Sequence, residues 1–339
     1  MSVASQAAIQ EAAHLLEQGK LVAFPTETVY GLGADASNPQ AVAAIFSAKG
    51  RPSNHPVIVH VAPEADLPRW ASHIPEVAHQ LIAAFWPGPL TLILPRSDAV
   101  PASVAGGQNS LGLRSPSHPV ALALLRAFRQ GQGGIAAPSA NRFGHVSPTT
   151  AQHVMDEFGC PPEGPLVCVL DGGQSQVGIE STIVDVTRVA THGLVLLRPG
   201  HITAEAIAAV TGLHPVSPDA AAPRVSGALD SHYAPAAPLA LVAGEALENC
   251  LSILTQKGKQ VALLSQQPAH TPVIKARQLA FVPATYAHDL YAALRDLDQA
   301  HPDIIIVEQP PQAPDWLGVN DRLRRAAFAS TMLMNEWMS

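Results

Sequence analysis

The fold of this chain is decided by residues 21–33, which read LVAFPTETVYGLG. The first four are apolar and predict a short buried strand, which ends at Pro25 because proline lacks the amide hydrogen that a strand needs. The run PTETVYGLG then gathers hydroxyls, a carboxylate and two glycines into one loop directly after that strand. Such a loop is typical of a functional site, although a purely structural turn would also account for it.

Helical and strand patterns alternate around this stretch. Residues 9–16 are apolar at helical spacing, and a second helix is capped by Ser37 or Asn38 and ends at Gly50. Further helices are predicted at 77–85, 120–128 and 204–210, and further strands at 57–61, 90–94, 135–137, 166–170, 179–186 and 194–197. This alternation predicts an α/β domain over residues 5–212.

The character of the sequence changes over residues 213–237, where periodicity is lost and prolines recur. Such a composition predicts a linker. Beyond it, strand patterns alternate with helical patterns; the strands are expected at 239–242, 261–264 and 304–307, and the helices at 286–297 and 317–328. That order predicts a small parallel-sheet, Rossmann-like domain over residues 238–339.

Length and composition exclude several classes of protein. A chain of 339 residues is expected to form two domains at roughly 100–200 residues each, and 47% hydrophobic against 14% charged residues excludes disorder. A net charge of −7 excludes a globally basic nucleic-acid coat. Three cysteines without C-x-x-C spacing indicate a reducing compartment. Without a signal-peptide pattern or an apolar run of ~18–20 residues, a cytoplasmic protein without membrane contact is expected.

Acidic residues are missing from two long windows of the first domain. Between Asp35 and Glu64 the only formal charges are Lys49 and Arg51. Residues 99–155 contain no acid, but they contain four arginines, Arg114, Arg126, Arg129 and Arg142. These windows indicate an anion-binding pocket, unless they are simply buried strands, which exclude acids in any case.

Two motifs could supply that pocket. The first, Ala48-Lys49-Gly50-Arg51-Pro52, places two cations at a helix end, where they suit phosphate oxygens or merely complement the helix dipole. The second contains Ser139 and Asn141 in APSAN, followed by a helix start predicted at Ser147 with Pro148 in the first turn. Amide groups at such a start bind anions, although capping alone would explain Ser147.

Other recognisable site patterns are absent from the sequence. It contains no P-loop, no G-x-S-x-G elbow and no H-E-x-x-H. Residues 31–36 loosely fit a dinucleotide fingerprint, but a polar run separates them from the strand and no acid follows at the expected ~20-residue offset. The 15 histidines are scattered, so no metal site built from protein side chains is predicted.

Five motifs occur in a characteristic order: PTETVYGLG, KGRP with PVIVHV, APSAN with SPT, GIESTIVD, and LRPG. Together they resemble the threonylcarbamoyl-AMP synthase family, whose catalytic unit is the YrdC-like domain, over about residues 5–212. Residues 231–235 (SHYAP) and 321–323 (DRL) are similar to the long form with an extra C-terminal domain. The resemblance implies a twisted, mixed α/β sheet enclosing a large concave cavity.

The resemblance also implies an activity. Members of the family join L-threonine, bicarbonate and ATP into threonylcarbamoyl-AMP and release pyrophosphate, with Mg²⁺ accompanying ATP. The product passes to a tRNA threonylcarbamoyl-transferase system that modifies the adenosine beside the anticodon, and direct contact with tRNA stays open. The remaining alternatives are a non-catalytic RNA-binding module, which the net charge of −7 disfavours, and a related carbamoyl-transfer domain acting on a protein.

Site residues follow from the resemblance motif by motif. The implied nucleotide contacts are Lys49, Arg51, His55, Ser110, Asn141, Thr149, Arg198 and the linker residue Tyr233. The implied threonine contacts are Thr28, His60, Arg114, Ser139 and Ser181. Lys49 and Arg51 would act electrostatically, and no general base is assigned. Two positions depart from the family pattern: His55 stands before Pro56 where asparagine is usual, and residues 226–228 read Ser-Gly-Ala instead of Pro-Gly-Met.

Overall fold

A computed structural model describes residues 4–161, 164–227 and 230–338, and the chain divides into two compact units. In the described residues, unit 1 comprises 4–143 and 148–227, and unit 2 comprises 144–147 and 230–338. Ala228 and Leu229 of the predicted linker, and Ser339 of the predicted C-terminal domain, lie outside the described residues.

Unit 1 is a mixed α/β structure. Its helices are α1 (Gln6–Glu17), α2 (Pro39–Lys49), α3 (Glu76–Phe85), α4 (Pro119–Ala127), α5 (Ala151–Phe158), α6 (Val189–His192) and α7 (Ala204–Thr211). Its strands are β1 (Val22–Phe24), β2 (Gly31–Asp35), β3 (Val59–Val61), β4 (Leu90–Pro95), β5 (Ser110–Arg114), β6 (Gly134–Ala136), β7 (Cys168–Val169), β8 (Thr182–Asp185) and β9 (Val195–Arg198).

Within the described residues, these nine strands form one sheet in the order β7-β1-β2-β6-β3-β5-β4-β8-β9. The pairs β7/β1, β3/β5 and β4/β8 are parallel and the other neighbours are antiparallel. The predicted mixed sheet is therefore confirmed. The parallel pair β3/β5 matters most for the site, because it sets His60 beside Arg114 in register.

Helix α2 forms where its capping signals predict it. The Asn38 side chain accepts hydrogen bonds from the amides of Gln40 and Ala41 at 3.0 and 3.2 Å, so Asn38 is the cap. Gly50 ends the helix with a φ of +63°, a left-handed conformation that glycine adopts without strain. These two signals place Lys49 at the last residue of the helix.

The glycines of PTETVYGLG belong to a strand, which corrects the prediction of a single loop. Gly31–Asp35 is β2, antiparallel to β1 with Phe24 opposite Gly31. A Cβ atom on Gly33 would lie 2.9 Å from both the Phe24 ring and Ile135. The glycine is therefore required by close packing between strands, and the polar turn is limited to the residues between β1 and β2.

The helix predicted to start at Ser147 and Pro148 begins later in the structure. Thr150 is the cap of α5, and its hydroxyl accepts a hydrogen bond from the His153 amide at 3.2 Å. The Pro148 carbonyl instead accepts a hydrogen bond from the Tyr30 amide at 2.8 Å. Because that carbonyl is held by the PTETVYGLG segment, Pro148 is not in the first turn of a helix.

Unit 2 contains a second, separate sheet. Its strands are β10 (Leu239–Val242), β11 (Val261–Ser265), β12 (Lys275–Gln278) and β13 (Ile304–Glu308), and its helices are α8 (Gly244–Gln256), α9 (Pro283–Asp298), α10 (Leu317–Ala327) and α11 (Thr331–Met338). In the part of the unit that the structure describes, the four strands are all parallel in the order β10-β13-β11-β12. The predicted parallel-sheet domain is confirmed, and β12 escaped prediction because this edge strand is mostly exposed and has no apolar run.

No helix in the described residues combines the length and the apolar character needed to cross a bilayer.

Candidate active site

A tight polar turn joins β1 to β2. The Thr26 hydroxyl donates to the Val29 carbonyl at 2.7 Å and accepts from the amides of Thr28 and Val29 at 3.2 Å. It also lies 2.9 Å from the Thr28 hydroxyl. Thr26 therefore organises the turn from within, as threonine does in side-chain-to-backbone turns, and so fixes where Glu27 and Thr28 point.

Arg114, at the end of β5, is held by this turn. Its guanidinium lies 2.7 Å from the Glu27 carboxylate, and it donates to the Thr28 hydroxyl at 2.9 Å and the Gly88 carbonyl at 3.2 Å. The side chains of Arg114 and Glu27 are only 4% and 6% exposed. The structure thus brings two predicted threonine contacts, Thr28 and Arg114, into direct contact. It also pairs Arg114 with Glu27, an acid of the motif to which the sequence assigned no role.

His60 occupies the neighbouring strand β3 and pairs in register with Arg114. It is buried, and its ring meets the edge of Phe24 at a centroid distance of 6.0 Å. Burial, together with the positive charge of Arg114, lowers the pKa of His60 to about 3. The imidazole is therefore neutral at physiological pH.

This shifted pKa predicts that unit 1 loses stability in mild acid. A histidine that titrates near its ordinary pKa of about 6.5 when unfolded and at about 3 when folded favours the unfolded chain below pH 6.5. The expected loss in unfolding free energy between pH 7 and pH 5 is about 2 kcal/mol. Urea unfolding at both pH values should show a smaller loss in His60→Gln. An equal loss in the two proteins would contradict the assignment.

Lys49 orders the loop that carries Ser139 and Asn141. Its ammonium group donates to the Ser139 carbonyl at 2.6 Å and to the Asn141 carbonyl. The Lys49 side chain is buried, and that burial, followed by the nearby charge of Arg51, lowers its pKa well below the usual value. The segment between β1 and β2 also stabilises this loop, because the Ala140 amide donates to the Tyr30 carbonyl at 2.8 Å.

Two buried guanidinium groups meet at Ser226. Arg51 lies 3.4 Å from the Ser226 hydroxyl and donates to the Pro56 carbonyl at 2.9 Å. Arg198 donates to the Ser226 carbonyl at 2.9 Å and to the hydroxyl of Ser181 at 3.1 Å. Two converging guanidinium groups suit an anion, and here an uncharged serine lies between them.

Ser226 and Thr91 complete this cluster and had not been assigned to the site. The hydroxyl of Ser181 lies 2.8 Å from that of Thr91 on β4. In the sequence, Ser226 stands out only as a departure from the family pattern. Thr91 lies within an apolar strand pattern, which indicates burial and not a role for its hydroxyl.

The remaining predicted contacts of unit 1 lie on separate elements. Ser110, at the start of β5, lines a small surface pocket together with Gln108, Arg224 and Ser226. The His55 ring packs edge-on against Phe143 at 5.6 Å, and partial burial followed by the charge of Arg51 lowers its pKa. Thr149 is fully buried before α5, and its carbonyl accepts the Ser175 amide at 2.9 Å.

Tyr233 is the predicted site residue that lies in unit 2. Its ring is 1% exposed, stacks on Tyr291 at 6.0 Å and lies 5.4 Å from the guanidinium carbon of Arg322. Its φ of +61° is unusual for a residue other than glycine. Surrounding contacts hold Tyr233 in this strained conformation.

Arginines of the acid-free windows separate into two groups in the structure. Arg114 is buried in the candidate site, whereas Arg126 pairs with Glu64 at the surface and Arg129 pairs with Asp35. Arg142 hydrogen-bonds to Glu157 through its backbone and its side chain. The sequence pattern alone could not separate these roles.

Family models and curated relatives cover almost the whole chain. A model described as "Telomere recombination" matches residues 14–200, and "Threonylcarbamoyl-AMP synthase, C-terminal domain" matches residues 202–328. The threonylcarbamoyl-AMP synthases of Pyrococcus abyssi and Bacillus subtilis are 39% and 41% identical over 332 residues, which is 94% of this chain and 94% and 92% of theirs. The chain belongs to the threonylcarbamoyl-AMP synthase family.

Solved structures of the family agree with this membership. P. abyssi Sua5 complexed with L-threonine superposes with a TM-score of 0.88 at 37% identity, covering 95% of both chains. A variant of the same protein, with a histidine and a tyrosine replaced by alanine, gives a TM-score of 0.86 at 36% identity and covers 95% of this chain and 93% of that one. The resemblance inferred from the motifs is confirmed, and the chain is an enzyme of the nucleotidyltransferase type.

Proposed function

We propose that this enzyme joins L-threonine, bicarbonate and ATP into threonylcarbamoyl-AMP, with release of pyrophosphate. The observation that carries the proposal is the pairing, in unit 1, of a buried Arg114–Glu27 site with two guanidinium groups converging on Ser226. A relative at 37% identity has been solved with L-threonine. The product then serves a tRNA threonylcarbamoyl-transferase system, which modifies the adenosine beside the anticodon.

The threonine end of the site follows from Arg114. Its planar guanidinium, fixed by Glu27 and Thr28, is suited to hold the substrate carboxylate by two parallel hydrogen bonds. Neutral His60 adds no positive charge beside the substrate amine, which must be uncharged to react. Hydroxyls of Thr28, Ser139 and Ser181 are assigned to the β-hydroxyl and its surroundings.

The nucleotide end supplies electrostatic stabilisation. The threonine amine and bicarbonate give a carbamate and water; the carbamate oxygen then attacks the α-phosphorus while the bond to pyrophosphate breaks. Negative charge accumulates on phosphate oxygens, where fixed guanidinium groups act without reorganisation. Arg51 and Arg198 are assigned this role, and the phosphates must then displace Ser226 from the two guanidinium groups. Lys49 orders the loop of Asn141, and Ser110, Thr149 and His55 are assigned to the rest of the nucleotide.

Magnesium enters this proposal as part of the substrate MgATP. Among the residues that the structure describes, no cluster of three or more His, Cys, Asp or Glu side chains could hold a metal ion. Mg²⁺ in nucleotide sites commonly keeps several waters and is bound largely by phosphate oxygens. No step is assigned to a metal ion held by the protein.

The linker is assigned the role of a lid over this site. Its first half already contacts nucleotide-site residues of unit 1, because Arg51 and Arg198 both bind Ser226, and Gln108 exchanges hydrogen bonds with Arg224. A lid would keep water from the labile mixed anhydride. The Tyr233 hydroxyl is assigned to the nucleotide. Tyr233→Phe, which removes only that hydroxyl, tests the contact through the rate of ATP dissociation.

The decisive experiment detects the product. Purified enzyme with threonine, bicarbonate and MgATP should form threonylcarbamoyl-AMP by mass spectrometry, and pyrophosphate release should require all three substrates. A protein that binds tRNA and consumes no ATP would instead support the RNA-binding alternative. Transfer of the carbamoyl group to a protein acceptor without free threonine would support the third alternative.

Substrate choice gives a further prediction. A pocket that surrounds both the β-hydroxyl and the β-methyl group should prefer threonine to serine, because serine leaves the methyl space empty. The expected difference is about 1–3 kcal/mol, or roughly 10- to 200-fold in kcat/KM. Competition between the two amino acids measures it directly, and equal use of both would remove Thr28, Ser139 and Ser181 from the pocket.

A further inference from the structure

Residues 144–147 form a short excursion of the chain into unit 2. The chain leaves unit 1 after Phe143 and returns to it at Pro148. This excursion lies between Asn141 and Thr149, two of the residues assigned above to the nucleotide. A segment of unit 2 therefore connects two parts of the proposed nucleotide site.

The backbone of residues 144–147 is hydrogen-bonded to other residues of unit 2. The Ala234 amide donates to the Gly144 carbonyl at 2.9 Å, and His145 forms a parallel bridge with Ala234. The Arg295 guanidinium, near the end of the 16-residue helix α9, donates to the carbonyl of Val146. Val146 is 3% exposed, and this charged hydrogen bond is partly buried.

The residues just before and just after this excursion are hydrogen-bonded within unit 1, also through backbone groups. On one side, Lys49 binds the Asn141 carbonyl and accepts the Phe143 amide at 2.8 Å. On the other side, the carbonyls of Pro148 and Thr149 accept the amides of Tyr30 and Ser175. Because the residues on both sides are fixed in unit 1, the backbone conformation of residues 144–147 depends on their hydrogen bonds to Arg295 and Ala234.

We propose that Arg295 is a positioning residue for the nucleotide site, acting through the Val146 carbonyl on the segment that joins Asn141 to Thr149. The proposal rests on the nucleotide assignments of the proposed function. By fixing the middle of this segment, helix α9 restricts the positions that Asn141 and Thr149 can adopt. A site that is ordered before binding loses less conformational entropy when ATP binds. Because Ala234 follows Tyr233 directly, the same contacts tie the linker tyrosine to this segment.

The test compares Arg295→Ala and Arg295→Lys with the full-length wild-type enzyme. ATP affinity by calorimetry should fall about tenfold in Arg295→Ala, which corresponds to ~1.4 kcal/mol. Hydrogen exchange should quicken in peptides spanning residues 143–149, while the KM for threonine stays unchanged. Arg295→Lys should recover most of the affinity, because an ammonium group can also donate to the carbonyl.

Arg277→Ala is the matched control, since Arg277 is an exposed arginine of unit 2 that pairs with Asp296 at 2.6 Å. This variant should leave ATP affinity and exchange as in the wild type. Unchanged ATP affinity in Arg295→Ala would overturn the proposal. A lower melting temperature together with equal losses of ATP affinity and threonine affinity would also overturn it. If the wild type binds ATP but forms no adenylate, the proposed function fails, while affinity and exchange still decide the role of Arg295.

Discussion

Replacing Arg51 by alanine is expected to lower the rate of adenylate formation at least about tenfold, because a hydrogen bond to a charged group contributes ~1.5–3 kcal/mol. Arg51 is 8% exposed and faces the same serine as Arg198, so its charge acts in a site largely shielded from water. Arg51→Lys should restore only part of the rate, since an ammonium group cannot reproduce the planar fork of a guanidinium.

Pyrophosphate release at saturating threonine and ATP measures this effect. Arg126→Ala is the matched control, because the Arg126 side chain is 54% exposed and pairs with Glu64 at the surface of the same unit. The control should keep the wild-type rate. If Arg51→Ala also keeps that rate, Arg51 does not belong to the nucleotide site.

Glu27→Gln is expected to affect both stability and threonine binding. It would leave the Arg114 guanidinium buried without its counter-charge, and breaking a buried ion pair in this way typically costs ~3–5 kcal/mol of unfolding free energy. The KM for threonine should rise as well, because Glu27 fixes the orientation of Arg114. Urea unfolding and steady-state kinetics measure the two effects separately.

A double variant separates the stability of this pair from its function. Glu27→Leu with Arg114→Met replaces both charges by apolar groups, which often restores the stability lost by breaking a buried pair. Threonine binding should nevertheless be lost, since no guanidinium remains. Glu64→Gln serves as control, because its exposed ion pair should contribute less than about 1 kcal/mol. Normal threonine use by the double variant would contradict the role of Arg114.

Elements with strong local signals were predictable. The cap at Asn38 and the stop at Gly50 defined α2, and apolar runs such as 261–264 and 304–307 located the buried strands of the parallel sheet. The order of the five motifs also identified the family. All of these depend on residues that are close together in the chain or on a pattern read along it, so local propensity and burial periodicity are sufficient.

Several features of the site depend on residues far apart in the chain. Glu27 meets Arg114, Ser226 lies between Arg51 and Arg198, and residues 144–147 belong to unit 2. No local pattern encodes such pairings. The start of α5 shows the same limit, because a hydrogen bond from Tyr30 takes the carbonyl of Pro148 and overrides a favourable capping signal.

Fold class, family and the set of chemically suited side chains therefore follow from patterns read along the chain. Which of those side chains share a site depends on how distant segments pack together. This packing buries Arg114 against Glu27 but leaves Arg126, from the same acid-free window, at the surface with Glu64. The physical reason is that a charge loses its hydration wherever the packed chain encloses it, and then requires a partner supplied by a distant segment.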